Sequence, residues 1–294
     1  MQILSRNQLY RSFLHIGYAF RNRWIRLVMP DVKLPEEKKA YDKLKTMIPE
    51  LNSYKKSTVY HIQRLAYSAG CRSFAEYCNR LEKHPEELSE LKMNITLTRT
   101  NFFRGNDWSY FNEECLSMYK DRDSLRIWCA GCSSGKEVYS VILSALDYVP
   151  LQGIEVLASD YNDEMLALTV AGTYSLAELE TIPEHMRRYI VKADSRRFTF
   201  AEELKGRITV QNIDLLKDDY PTGFDVILCR NVIKFFSPEI ILLVQQKLVR
   251  SLNDHGFLFL STDGNHKGVE LIKDPEALDV VQMDGRCIYR RTGR

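Results

Sequence analysis

The segment Leu125–Ser140, LRIWCAGCSSGKEVYS, concentrates the residue types that could do chemistry in this chain. Leu125, Ile127, Trp128 and Cys129 read as a buried strand that breaks into a small-residue loop, Ala130-Gly131-Cys132-Ser133-Ser134-Gly135. A helix follows from Lys136, with Val138, Val141, Ile142 and Leu143 on its apolar side. Strand, glycine-containing turn and helix is how an α/β sheet opens a nucleotide pocket. Small residues let the backbone approach the ligand, and N–H groups at the helix start point at it. The loop lacks the full G-x-G-x-x-G of a dinucleotide site and the G-K-[ST] of a P-loop. What remains is a pocket for a nucleoside-type ligand with no pyrophosphate to cradle.

Five places could complete such a pocket. Asp160 ends the next strand candidate, about 25 residues past the loop, where an acid can accept both hydroxyls of a ribose; the competing role is a helix N-cap, for which Asn162 and Asp163 are also available. Glu137 could pair with an ammonium group, or simply be an acid favoured at a helix start. Asp214-Leu215 follows a third strand and could meet an adenine amino group and ring, a weak signal by itself. Arg230-Asn231 ends the wholly apolar strand Phe224–Cys229, a polar pair where α/β sheets bind ligands. Finally, Leu97–Arg104 sets Phe102 and Phe103 beside Arg104, which could wall a pocket and offer a planar cation to a carboxylate; by composition it could equally be a linker.

The elements needed to position these residues follow from periodicity. Strand candidates are 125–130, 154–159, 207–212, 224–229 and 255–262, with helices near 136–147, 162–170, 183–191 and 238–252. This alternation predicts a mostly parallel, doubly wound sheet. Residues 277–283 and 286–291 flank Asp284-Gly285 and predict a closing antiparallel hairpin. The short polar stretch at about 196–212 reads as an inserted β-subdomain, and 97–120 as a linker ahead of an α/β domain at 121–294. Before it, 35–96 reads as a helical domain, with helix starts at Pro35, Ser57, Ser73 and Pro85. Residues 1–34 form an extension in which Arg6, Arg11, Arg21, Arg23 and Arg26 alternate with Phe13, Ile16, Phe20, Trp24 and Val28 at helical spacing. Its functional reading is weak contact of residues 1–30 with an anionic membrane or a partner, and its plainer one a helix packed on the body.

Composition excludes several classes. A net charge of +2 gives no strong field for nucleic acid, and no run of about 18 apolar residues exists to span a membrane. Seven cysteines, an odd number, contain only C-A-G-C (Cys129, Cys132) as a near-metal spacing, without a second ligand pair. Reduced thiols in a cytoplasmic protein with no metal are therefore expected.

Taken together these residues resemble the chemotaxis receptor glutamate methyltransferase family, CheR. Its pattern of N-x-T-x-F-F-R, A-x-S-x-G-E-E-x-Y-S, A-S-D and C-R-N-V-x-I-Y-F recurs in order as Thr98–Arg104, Ala130–Ser140, Ala158–Asp160 and Cys229–Phe236. The resemblance spans roughly residues 35–291 and implies a class I S-adenosylmethionine-dependent methyltransferase sheet behind a helical domain. It implies O-methylation of glutamates on the cytoplasmic helices of chemoreceptors, with S-adenosylhomocysteine as product. The cofactor-binding positions it implies are Thr98, Thr100, Arg104, Ala130, Glu137, Asp160, Asp214, Leu215, Arg230 and Asn231, with Arg104 also orienting the acceptor carboxylate. Departures are Thr98 for Asn, Lys136 for the first acid of G-E-E, Asp214 for Asn, Phe235 for Tyr, and Ser261–Asn265 for G-H-S-E. The alternatives are an S-adenosyl-binding signalling protein without strong catalysis, or a methyltransferase with another protein acceptor.

Overall fold

The computed structural model describes residues 34–53, 57–88, 91, 100–105, 108–233, 236–260, 278–283 and 286–292. The expected basic helix at 1–30, Thr98, Phe235, Ser261–Asn265 and the Asp284-Gly285 turn lie outside the described residues. The chain divides into two compact units, Met1–Leu97 and Thr98–Arg294.

The described elements of the first unit are helical: α1 (Pro35–Met47), a 3₁₀ turn (Pro49–Ser53), α2 (Ser57–Ser68) and α3 (Phe74–Lys83). Pro35 opens α1 with Glu36 and Glu37 in its first turn, a start favoured by the fixed proline φ and the helix dipole. Ser73 caps α3 by accepting the Glu76 N–H at 3.1 Å. Glu37 is buried and accepts the Phe74 N–H at 2.8 Å, so one charged side chain ties α1 to the start of α3. Leu44, Ile62, Ala66, Phe74, Cys78 and Leu81 fill the core between them.

The second unit is an α/β sheet in the order β6-β2-β1-β7-β8-β10-β9. Its strands are β1 (Leu125–Ala130), β2 (Ile154–Asp160), β6 (Ile208–Asn212), β7 (Phe224–Leu228), β8 (Leu252–Phe259), β9 (Leu278–Met283) and β10 (Arg286–Arg291). The first five run parallel, and β10 pairs antiparallel with both β8 and β9. This is the class I methyltransferase arrangement. Helices α4 (Lys136–Ala145), α5 (Asp163–Ala171) and α6 (Pro238–Ser251) provide crossovers. Both faces of β1 and β7 are covered, so they read as continuous apolar runs and not as alternating ones. Among the described residues no helix is long and apolar enough to cross a membrane.

Three sequence expectations need correction. The inserted β-subdomain is not 196–212: it comprises β3 (Thr173–Ser175), β4 (Ile190–Lys192) and β5 (Arg197–Phe200) in the order β3-β5-β4. β3 and β4 are three residues each, too short to leave a period in the sequence. Residues 208–212 instead form the edge of the main sheet, with Val156 opposite Ile208 and Asp160 opposite Asn212. The expected helix at 183–191 is a 3₁₀ segment, Glu184–Tyr189, followed by β4. Of the expected 97–120 linker, the described residues 100–105 and 108–120 are no linker. Phe102, Tyr110, Phe111, Cys115, Leu116 and Tyr119 are buried in the core of the second unit.

Candidate functional site

The carboxyl ends of β1, β2, β6 and β7 converge on one edge of the sheet, where the loop after β1 fixes the geometry. Gly131, Ser133 and Gly135 all have positive φ (78°, 51° and 81°). A Cβ on Gly131 would stand 2.4 Å from Val232 Cγ2, and one on Gly135 within 2.9 Å of the Thr169 backbone. The glycines are thus required by close approach of neighbouring segments as well as by φ. The Gly131 and Cys132 amides both donate to the Ser159 carbonyl at 2.8 Å, which folds the loop back over the end of β2.

That fold brings the loop to Asp160. Its Oδ2 accepts the Ser133 N–H at 2.9 Å and its Oδ1 the Asn162 N–H at 3.1 Å. Burial raises the Asp160 carboxyl above its ordinary value, while the Ser133, Asn162 and Tyr161 N–H groups oppose the rise. The N-cap of α5 is Asn162, whose Oδ1 accepts the Glu164 and Met165 amides at 2.9 and 3.4 Å. Asp160 is therefore not spent on capping. A half-buried carboxylate held by these backbone N–H groups keeps lone pairs for further donors, the acceptor set a ribose diol calls for.

The adenine-side turn is contiguous with it, because the Ile213 N–H donates to the Asp160 carbonyl at 3.2 Å. Asp214 Oδ1 accepts the Leu216 N–H at 2.9 Å, and Oδ2 pairs with Lys217 at 2.9 Å. Leu215 is buried, and its carbonyl accepts the Tyr220 hydroxyl at 2.6 Å.

A second cluster lies on the other side of the loop. Arg230, at the end of β7, donates from Nη1 to Glu137 Oε2 at 2.7 Å. Its Nη2 donates to the Arg104 carbonyl, which also accepts Trp108 Nε1–H at 3.0 Å. The guanidinium lies 5.4 Å from the Trp108 ring centroid. Arg230 and Glu137 side chains are only 4% and 13% exposed, so this is a desolvated pair and not a surface ion pair. Phe103, at φ 50°, donates its N–H to Ser140 Oγ at 3.0 Å. The Phe102 ring packs edge-on against Tyr174 and Phe200 of the β-subdomain.

Thus Thr100, Arg104, Ala130, Glu137, Asp160, Asp214, Leu215, Arg230 and Asn231 all fall on segments joined at this edge. Asn231 is buried at φ 61°, a left-handed position that asparagine tolerates. The residues missed from sequence are supports: Ser133, Ser140, Trp108 and Tyr220, with the Asn162 N–H, whose side chain reads from sequence as a helix cap. Ser133 and Asn162 hold Asp160 through backbone N–H groups, which leave no side-chain signature; Trp108 and Tyr220 become relevant only through contacts set by the fold. Burial pushes the Cys129, Cys132 and Cys229 thiols above their ordinary value, which holds them protonated and poor as nucleophiles or ligands. Among the described residues no group of three His, Cys, Asp or Glu side chains could hold a metal ion.

Comparison with known proteins bears on this geometry. The family described as "CheR methyltransferase, SAM binding domain" matches residues 98–281, and "CheR methyltransferase, all-alpha domain" matches residues 50–96. A chemotaxis protein methyltransferase of Listeria innocua is 33% identical over 193 residues, 64% of this chain and 73% of the relative. A probable chemotaxis protein methyltransferase of Rhizobium etli is 29% identical over 262 residues, 82% of this chain and 94% of that one. The Escherichia coli chemotaxis protein methyltransferase is 27% identical over 231 residues, 75% of this chain and 80% of its own length.

Proposed function

We propose that this chain, which belongs to the CheR methyltransferase family, uses S-adenosylmethionine to esterify glutamate side chains on the cytoplasmic helices of chemoreceptors. Methyl transfer in chemotaxis adaptation is the family's work; the glutamate acceptor and the roles of individual residues are our reading. The observation that carries it is the half-buried Asp160 carboxylate, held by loop and helix-start amides beside a turn without phosphate-binding glycines.

The donor set fits the cofactor. Asp160 would accept the ribose hydroxyls, and Glu137 would meet the ammonium. Asp214 and Leu215 would meet the adenine, with Thr98, Thr100, Ala130 and Asn231 completing the wall. When bound, S-adenosylmethionine would supply an electrophilic methyl for a glutamate oxygen, with the S–CH₃ electron pair left on the sulfur of S-adenosylhomocysteine. The protein has little proton chemistry to do, because a glutamate is already ionised at neutral pH. Its contribution is alignment, worth up to about 7–11 kcal/mol when orientation is near ideal. Arg230 holds the Arg104 backbone in place, and the Arg104 guanidinium orients the acceptor carboxylate.

Calorimetry with S-adenosylhomocysteine on the wild type and Asp160→Ala tests the pocket. Two hydrogen bonds to a charged acceptor, at about 1.5–3 kcal/mol each, predict a loss of at least about a hundredfold. Labelled methyl transfer to a receptor cytoplasmic fragment tests the acceptor. Alkali-labile label should appear, and should vanish when the candidate glutamates are changed to alanine; equal labelling of that control overturns the glutamate assignment.

A further inference from the structure

We infer that Lys136 is a positioning residue: paired with Glu178, it clamps the Thr100 backbone to the β-subdomain and leaves Glu137 as the acid that faces the cofactor. A lysine at the first position of a helix works against the helix dipole, so its charge needs a local partner. Its ammonium meets two segments far from it in sequence. It forms an ion pair with Glu178 Oε1, donates to the Thr100 carbonyl at 3.3 Å, and lies 5.9 Å from the Tyr174 ring centroid. Glu178 is itself anchored, since its Oε2 accepts the Ser175 N–H at 3.1 Å in a capping box. The Tyr174 hydroxyl donates to the Ser134 carbonyl at 2.7 Å, so the nucleotide loop is tied to the same subdomain.

Helix geometry separates the neighbours. Successive residues of a helix point about 100° apart. Glu137 turns toward Arg230, just past β7, while Lys136 turns into the groove lined by Tyr174, Ser175, Glu178 and Arg197. The pair is partly desolvated, with Lys136 15% and Glu178 32% exposed, so removing either partner strands a charge. The segment it clamps continues into Phe102, Phe103 and Arg104, the stretch the proposed reaction relies on to orient its acceptor. The inference rests on the methyl-donor reading of the site.

Amide hydrogen exchange on the ligand-free full chain, with S-adenosylhomocysteine calorimetry beside it, tests the clamp. Lys136→Met and Glu178→Gln should each raise exchange of residues 100–105 about tenfold and leave residues 154–171 unchanged, since local openings report local contacts. Both variants should weaken S-adenosylhomocysteine by the same factor, about three- to tenfold, because both break one pair. Lys136→Arg should stay within about twofold of wild type, and Glu178→Lys should restore most of the protection lost in Lys136→Glu. Unchanged exchange at 100–105 in both single variants overturns the clamp. So does a ligand-affinity loss in Lys136→Met that Glu178→Gln does not share, which would put Lys136 on the cofactor. Failure of the wild type to bind S-adenosylhomocysteine would instead sink the methyl-donor reading, and exchange, needing no ligand, still decides the clamp.

Discussion

The two sides of the loop after β1 are built by different means. On the Asp160 side, the fixed groups are backbone amides of Gly131, Cys132, Ser133 and Asn162, all within one strand–turn–helix crossover and its neighbour. On the Arg230 side, the fixed groups are side chains: Glu137, Arg230, Trp108 and Ser140, gripping a segment 26 or more residues upstream of the loop. Backbone construction tolerates side-chain change but not added bulk or altered φ. Side-chain construction fails one partner at a time. A binding half that must present one rigid shape suits the first, and an acceptor half that must align a visiting side chain suits the second.

The largest expected effect is on the side-chain half. Arg230→Met strands the Glu137 carboxylate, removes a donor from the Arg104 carbonyl and takes the guanidinium off the Trp108 ring. Breaking a buried pair costs about 3–5 kcal/mol, read as a lower denaturant midpoint. Adding Glu137→Gln should recover part of that loss; strict additivity would show the two are not a unit. The next effect is on the backbone half. Gly131→Ala places a methyl 2.4 Å from Val232 Cγ2 at a φ of 78°. Overpacking at about 1–3 kcal/mol adds to left-handed strain of about 1–2 kcal/mol. A compensating Val232→Ala should relieve the first part only; full recovery would mean that φ carries no cost here.

The same contrast explains what the sequence disclosed. The strand, loop and helix at 125–145 and the acid closing β2 were legible because period, glycines and an acid at a strand end are local signals. The sheet edge and the closing hairpin followed from the same periods. The segment at 97–120 reads from composition as a linker, because Phe102, Tyr110 and Phe111 find their partners only after the chain has folded. The β-subdomain was placed too late for a related reason. β3 and β4 are short pieces whose identity comes from pairing with β5, not from their own composition. Lys136 looked like a defect in a cofactor motif; the groove explains it through Glu178, 42 residues away.

A third test uses pH to compare the halves. Burial sets the Asp160 carboxyl above its ordinary value, roughly 3.9 for an aspartate. Its folded value exceeds its unfolded one, so its contribution to stability is largest below the unfolded value and declines as pH rises through the folded one. Ligand binding runs the opposite way, because the ionised carboxylate is the better acceptor for two hydroxyls. S-adenosylhomocysteine affinity should therefore be flat near neutrality and fall on acidification from an inflection above that of an ordinary aspartate. Asp160→Asn should erase the inflection; an unchanged profile would move the titrating group to the Glu137 half.

The smallest effect sharpens the boundary of the backbone half. Tyr220 lies beyond the Asp214 turn, and its hydroxyl donates to the Leu215 carbonyl at 2.6 Å. The ring stacks edge-on against Trp128 at 5.3 Å, and the Lys247 ammonium sits 4.1 Å from its centroid. Tyr220→Phe keeps the ring, its packing and the cation contact, and deletes only the hydroxyl. One net hydrogen bond predicts a stability loss of about 1 kcal/mol. If that bond serves chiefly to hold the adenine-side turn, S-adenosylhomocysteine affinity should fall several-fold while kcat at saturating donor stays put. The split matters because Tyr220 touches the turn and not the Arg230 cluster. A fall in kcat with donor affinity intact would show that the two halves are mechanically coupled across the loop, and the division drawn between them would fail.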